Sequence, residues 1–130
     1  MTRVILVDDN RVNAQLVKEL LEMDGLDVVV CPSERKARAA ADKQAAAFVI
    51  DCNLAAGREG LELLRAIRRG DTHAASDTPV FVISGDSRLA VEALNSGANQ
   101  FWPKPFSPSA LSSALQNIIA SEDGQVGALG

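Results

Sequence analysis

Three carboxylates, a hydroxyl and an ammonium in this chain each follow directly on a short apolar run, and these groups could do chemistry together. Asp8 and Asp9 come after Val4-Ile5-Leu6-Val7, and Asp51 after Phe48-Val49-Ile50. Ser84 ends Val80-Phe81-Val82-Ile83, and Lys104 follows Gln100-Phe101-Trp102. A single carboxylate between a strand and a helix is ordinary turn or capping chemistry. Gathered on one rim, the set has a different meaning. Two carboxylates about 4 Å apart repel by ~4 kcal/mol at an effective dielectric near 20. Lys104 supplies one positive charge against three negatives, so the cluster calls for a cation. A hard divalent ion held by one or two carboxylates, waters and a phosphate describes Mg²⁺. The chemistry is then phosphoryl transfer, in which in-line positioning and charge neutralisation carry the rate.

The elements that must position these groups read as alternating strands and helices. The runs 4–7, 28–30, 48–50 and 80–83 are continuously apolar and rich in β-branched residues, as expected of parallel strands covered on both faces. Residues 100–102 form a weaker fifth. Between them the apolar periodicity predicts helices over 11–23, 34–44, 59–69, 88–96 and 108–120. The first places Val12, Leu16, Leu20 and Met23 on one stripe. Ser33 and Ser107 are the expected N-caps, with Pro108 at the first helical position and Gly97 closing the fourth helix. In the last helix Leu111, Leu115 and Ile118 are assigned to the core, and Ser109, Ser112, Ser113 and Gln116 to the surface. Strict alternation implies right-handed crossovers and a parallel sheet with helices on both faces. In such a sheet the ligand crevice lies beyond the carboxyl ends of the strands, where all five candidates fall.

Composition removes several function classes. The chain has 130 residues, 47% apolar and 23% charged, with a net charge of −4, which fits one globular domain. An acidic chain without a basic run argues against direct nucleic-acid or membrane-surface binding. The first apolar run stops at Asp8, short of a signal peptide or a membrane span, so a cytoplasmic location is expected. The single histidine, His73, sits in a polar stretch and is read as a solvated loop residue. Cys31 and Cys52 form neither a disulfide framework nor a metal knuckle.

The motifs VILVDDN, FVIDCNL, VFVISGD and FWPKPF, in that order, resemble the receiver domain of two-component response regulators over residues 3 to about 120. The resemblance implies the doubly wound five-stranded α/β sheet of order 2-1-3-4-5, flavodoxin-like, with five helices. It implies a receiver unit over residues 1–121, and the short Gly-bearing stretch 122–130 is expected as a flexible tail. Asp51 is then the acceptor of a phosphoryl group from a histidine kinase or a histidine phosphotransfer protein. Asp9 and Asp51 would hold Mg²⁺ through side chains and Asn53 through its backbone carbonyl, while Asp8 would orient metal-bound water or help position the ion. Lys104 would pair with the phosphoryl oxygens, and the Ser84 hydroxyl would bond one of them. Ser84 and Phe101 would form the switch, and a downstream protein would dock on the face made by the fourth helix, fifth strand and fifth helix. Residues 105–121 of that face carry no charge.

The resemblance further implies a cis Lys104-Pro105 bond and chemistry limited to the chain's own phosphorylation and dephosphorylation. The order 2-1-3 puts the strands of Cys31 and Cys52 roughly 9.6 Å apart, beyond the ~7 Å reach of a disulfide. Both are expected as free thiols. The sequence departs from the family at Ser84, where threonine is commoner, and at Phe101, where tyrosine is frequent. Asn53-Leu54-Ala55-Ala56-Gly57 lacks the usual proline, and the Asp-Asp-Asn opening with Asn13 is similar to receivers of hybrid sensor kinases. The same carboxylates suit a second reading, a metal-dependent phosphohydrolase with an aspartyl-phosphate intermediate. A flavin mononucleotide carrier is disfavoured, because Asp8-Asp9-Asn10 would repel its phosphate.

Overall fold

Strands and helices alternate without exception in the computed structural model, which describes residues 2–52 and 57–129. They are β1 (Arg3–Val7), α1 (Arg11–Met23), β2 (Asp27–Cys31), α2 (Glu34–Ala40) and β3 (Ala45–Asp51), then α3 (Gly57–Arg69), β4 (Val80–Ser84), α4 (Leu89–Asn95), β5 (Gln100–Pro103) and α5 (Pro108–Leu129). The five strands pair in parallel in the order β2-β1-β3-β4-β5. This is the expected doubly wound sheet.

Alternation along each strand divides the core in two. Val4 and Leu6 of β1, with Val49 of β3 and Phe81 and Ile83 of β4, pack against Ala14, Val17 and Leu21 of α1 and Leu111 and Leu115 of α5. Ile5, Val7, Phe48, Ile50, Val80 and Val82 face the other way, against Ala37, Leu61, Leu64, Ile67 and Ala93 of α2, α3 and α4. Each fully buried aliphatic or aromatic side chain contributes about 1.5–3 kcal/mol, so this two-sided burial drives the fold. No helix among the described residues is long and apolar enough to cross a membrane.

The caps behave as read. Ser33 accepts from the Lys36 amide and Ser107 from the Ala110 amide. Gly97 ends α4 at φ +108, a conformation that favours glycine. Cys31 and Cys52 are buried free thiols, and the Lys104-Pro105 bond is cis. His73 is exposed.

The structure departs from the expected pattern at four places. The α1 face against the sheet is not the expected stripe: Val12, Leu16 and Met23 are 83%, 54% and 81% exposed, while Ala14, Val17 and Leu21 are buried. Both sets have helical spacing, and periodicity does not say which of two stripes meets the sheet. The second helix ends at Ala40, because the Asp42 side chain takes the Gln44 and Ala45 amides in a turn and starts β3 early. Ser112 is buried rather than outward. Finally, α5 continues past residue 120 to Leu129, since extending an existing helix needs no new nucleus.

Candidate functional site

Ladder hydrogen bonds at the carboxyl ends of the strands set the site. The Asp8 amide donates to the Cys31 carbonyl (3.1 Å), the Cys52 amide to the Ile83 carbonyl (2.7 Å), and the Lys104 amide to the Ser84 carbonyl (3.0 Å). Asp51 lies in register with Ile83 of β4, and Ser84 with Pro103 of β5. Residues separated by up to about a hundred positions in sequence therefore share one rim. Asp8, Asp9 and Asp51 line a single cleft of about 80 Å³, with Glu34 and Glu59 on its walls.

Asp51 is the most constrained member. Its side chain is 3% exposed, and Lys104 Nζ stands 2.9 Å from Oδ1. Among the described residues no further hydrogen-bond donor reaches this buried oxygen, whose contact with Lys104 is an ion pair. Burial pushes the Asp51 carboxyl above its ordinary range; Lys104 works against this, and the charges of Asp8 and Asp9 add to it. Like charge gathered around a desolvated carboxylate is an environment that a cation relieves.

Asp8 is held in place by neutral donors. Only 4% exposed, it accepts the Asn10 amide at Oδ1 (2.9 Å) and the Asn13 carboxamide at Oδ2 (2.8 Å). Ser84 is also buried, and its Oγ accepts the Asp86 amide at 3.0 Å. The hydroxyl hydrogen is left to donate elsewhere. Phe101 is half-buried against the core on the α4 side of the sheet.

A divalent cation fits this donor set in a particular way. Among the described residues, no three Asp, Glu, His or Cys side chains converge tightly enough to ligate one ion by themselves. Mg²⁺ does not need that, because it keeps several waters and takes one or two carboxylates. The under-satisfied Asp51 oxygen and the acidic cleft meet that requirement. Asn53, expected to add a backbone carbonyl, lies outside the described residues, as do Leu54, Ala55 and Ala56.

Sequence reasoning did not find the support behind Asp8. Asn10 is the N-cap of α1 and Asn13 stands three residues later, the spacing at which a cap and a return side chain meet. That spacing was the available signal. The exposed Leu16 is the second surprise. With Asn10, Asn13, Lys104, Pro105 and Phe106 it lines a groove of about 560 Å³ beside the rim. Among the described residues the carboxylates line the smaller cleft and not this groove.

Known proteins resemble this chain over nearly its whole length. The chain is 32% identical over 121 residues to the transcriptional regulatory protein CpxR of Escherichia coli (strain K12), covering 92% of this chain and 50% of that protein. It thus spans half of that relative's length. A response regulator from Thermotoga maritima superposes with a TM-score of 0.76 at 30% identity, over 93% of this chain and 99% of that one. The receiver domain of Francisella response regulator 1452 gives 0.79 at 26% identity, over 95% and 99%. The family model for the response regulator receiver domain matches residues 4–116. Receivers of this family act as phospho-accepting modules of two-component signalling, generally with Mg²⁺, and are not turnover enzymes. With the fold, the rim and these matches in agreement, the chain belongs to the response regulator receiver domain family.

Proposed function

We propose that Asp51 accepts a phosphoryl group from a phosphohistidine donor and that the acylphosphate switches a protein-docking face. The observation that carries this reading is the buried Asp51 carboxylate, flanked by Asp8 and Asp9 and met by Lys104 at 2.9 Å. Asp9 and Asp51 would hold Mg²⁺ by their side chains and Asn53 by its carbonyl, with Asp8 orienting a bound water. The ion supplies neutralisation of the entering phosphoryl charge. Asp51 attacks phosphorus as an oxygen nucleophile, and the donor imidazole leaves. Lys104 then turns its ammonium to the phosphoryl oxygens, and the Ser84 hydroxyl donates to one of them. Water attack on the acylphosphate returns the carboxylate, so the chain catalyses its own phosphorylation and dephosphorylation.

The donor is a histidine kinase or a histidine phosphotransfer protein in the cytoplasm. Its approach is favoured along the groove beside Lys104, where Leu16 and Phe106 offer apolar contact. The output partner is a protein, with neither nucleic acid nor membrane bound directly. Movement of Ser84 toward the phosphoryl group frees space for the Phe101 ring, which alters the face of α4, β5 and α5. Val91 and Leu94 of α4 already stand 70% and 48% exposed there. A ligand needs only a modest differential affinity to shift such an equilibrium. Residues 1–121 form the signalling unit.

Two experiments test the reading. With acetyl phosphate and Mg²⁺, intact mass should show one added phosphoryl group in the wild type and none in Asp51→Asn. Continuous release of phosphate from a small phosphomonoester would favour the phosphohydrolase instead. Amide exchange with and without beryllofluoride should then differ across residues 84–121. Changes confined to the Asp51 rim would remove the switching half of the proposal.

A further inference from the structure

We infer that Asn13 is a positioning residue for the cation site, acting through Asp8. The inference rests on the cation reading above. Three hydrogen bonds close a small ring at the start of α1. The Asn10 amide donates to Asp8 Oδ1 at 2.9 Å, the Asn13 amide donates to Asn10 Oδ1 at 3.0 Å, and the Asn13 carboxamide donates to Asp8 Oδ2 at 2.8 Å. The ring ties the carboxylate after β1 to the first turn of α1, so the helix sets the orientation of the Asp8 side chain.

The chemistry of the donors matters as much as their number. A buried carboxylate is strongly disfavoured unless it is hydrogen-bonded. A lysine or arginine at position 13 would satisfy Asp8 but also cancel its charge. The amide and carboxamide satisfy both oxygens and leave the negative charge intact. The ion pairs among the described residues do not include Asp8, and its charge is felt at Asp51. Asn13 thus fixes the carboxylate at the rim while keeping it available to a divalent ion or its water. Groups that orient ligands in this way commonly change metal affinity without touching the metal.

The test is direct binding of Mn²⁺, an oxygen-seeking stand-in for Mg²⁺, read from the free-ion paramagnetic resonance signal. Wild type, Asn13→Ala, Asn13→Leu and Asn13→Ser are compared, with urea unfolding of each in the absence of metal. The two variants without a donor should bind about tenfold more weakly, and Asn13→Ser, which keeps a short donor, should recover part of the loss. Asn13→Leu retains bulk and serves where Asn13→Ala is too unstable to measure. Affinity within twofold of wild type in a folded donor-free variant overturns the inference, even if its unfolding midpoint drops. No Mn²⁺ binding by the wild type would instead overturn the cation reading itself, and the inference with it.

Discussion

Lys104 Nζ and Asp51 Oδ1 are 2.9 Å apart, joining the end of β5 to the end of β3 across the intervening strand β4. The pair is unequal: the lysine side chain is 33% exposed and the aspartate 3%. Lysine can therefore swing on its stem while the carboxylate stays fixed. That asymmetry suits an acceptor whose partner must move from carboxylate to phosphoryl oxygen.

The same pair gives a pH prediction. Burial, then the charges of Asp8 and Asp9, hold the folded Asp51 carboxyl above its unfolded range despite Lys104. The native state then binds this proton more tightly than the unfolded chain, so stability falls as pH rises through the raised value. At neutral pH, Asp51→Asn should be more stable than wild type by about 1 kcal/mol, since relief of burial and repulsion outweighs the lost Lys104 pair. The gap should close below about pH 4, where the unfolded carboxyl is protonated too. Urea midpoints at both pH values check this. A variant less stable at neutral pH contradicts it.

Cys52 follows Asp51 and should be chemically silent. Its thiol is pushed up to about 12 by burial, with the Asp51 charge adding and Lys104 opposing. Burial also raises Cys31, against a smaller effect of Lys36. The thiolate is the reactive form. Iodoacetamide at mildly alkaline pH should leave both thiols unmodified in the native protein and label both in denaturant. Native labelling of Cys52 would mean that the Asp51 end of β3 is more open than described.

Gly60 is where α3 approaches that same strand end. A Cβ added there would lie 2.5 Å from Cys52 Sγ and 2.9 Å from Ile50 Cγ2. In an open helix, glycine to alanine gains up to about 1 kcal/mol; here overpacking, typically 1–3 kcal/mol, should win. Gly60→Ala is expected to destabilise by about 1–2 kcal/mol on balance. Cys52→Ala in the same chain should recover part of the loss. Thermal unfolding of the single and double variants decides it, and a stabilised Gly60→Ala contradicts the packing.

Ser112 carries the fourth prediction. Its hydroxyl donates to Asp24 Oδ2 at 2.6 Å and accepts from Gln116 Nε2 at 3.0 Å, tying α5 to the end of α1. A hydrogen bond to a charged group is worth about 1.5–3 kcal/mol, so Ser112→Ala should lower stability by that order. Ser113→Ala, at an exposed position, should change little. Equal effects in denaturant melts would return Ser112 to the surface.

These cases show how much of the molecule the sequence carries. Runs such as Val4-Ile5-Leu6-Val7 are apolar at every position, so their strand character and double-sided burial can be read without tertiary knowledge. Asp8, Asp51, Ser84 and Lys104 follow such runs, which made the rim readable. The helix faces were harder. On α1 the bulky Val12, Leu16 and Met23 outweigh Ala14 in any hydrophobic pattern, yet the small alanine is the residue that fits against the sheet. Ser112 looked polar and therefore outward, because its partner Asp24 is far away in sequence. The Asn10–Asn13 ring was written in cap spacing, but its target, Asp8, lies upstream of the helix and outside the usual cap rule.

The most direct measurement is the position of the phosphoryl group. The protein is phosphorylated with acetyl phosphate and Mg²⁺, reduced with borohydride and digested, and each peptide is weighed and sequenced. Reduction converts an aspartyl phosphate to homoserine and leaves a phosphoserine intact. The account predicts homoserine at position 51 and unmodified Asp8, Asp9 and Ser84. Homoserine at position 8 or 9, a phosphorylated Ser84, or no reduced residue at all would contradict the assignment of Asp51 as the acceptor.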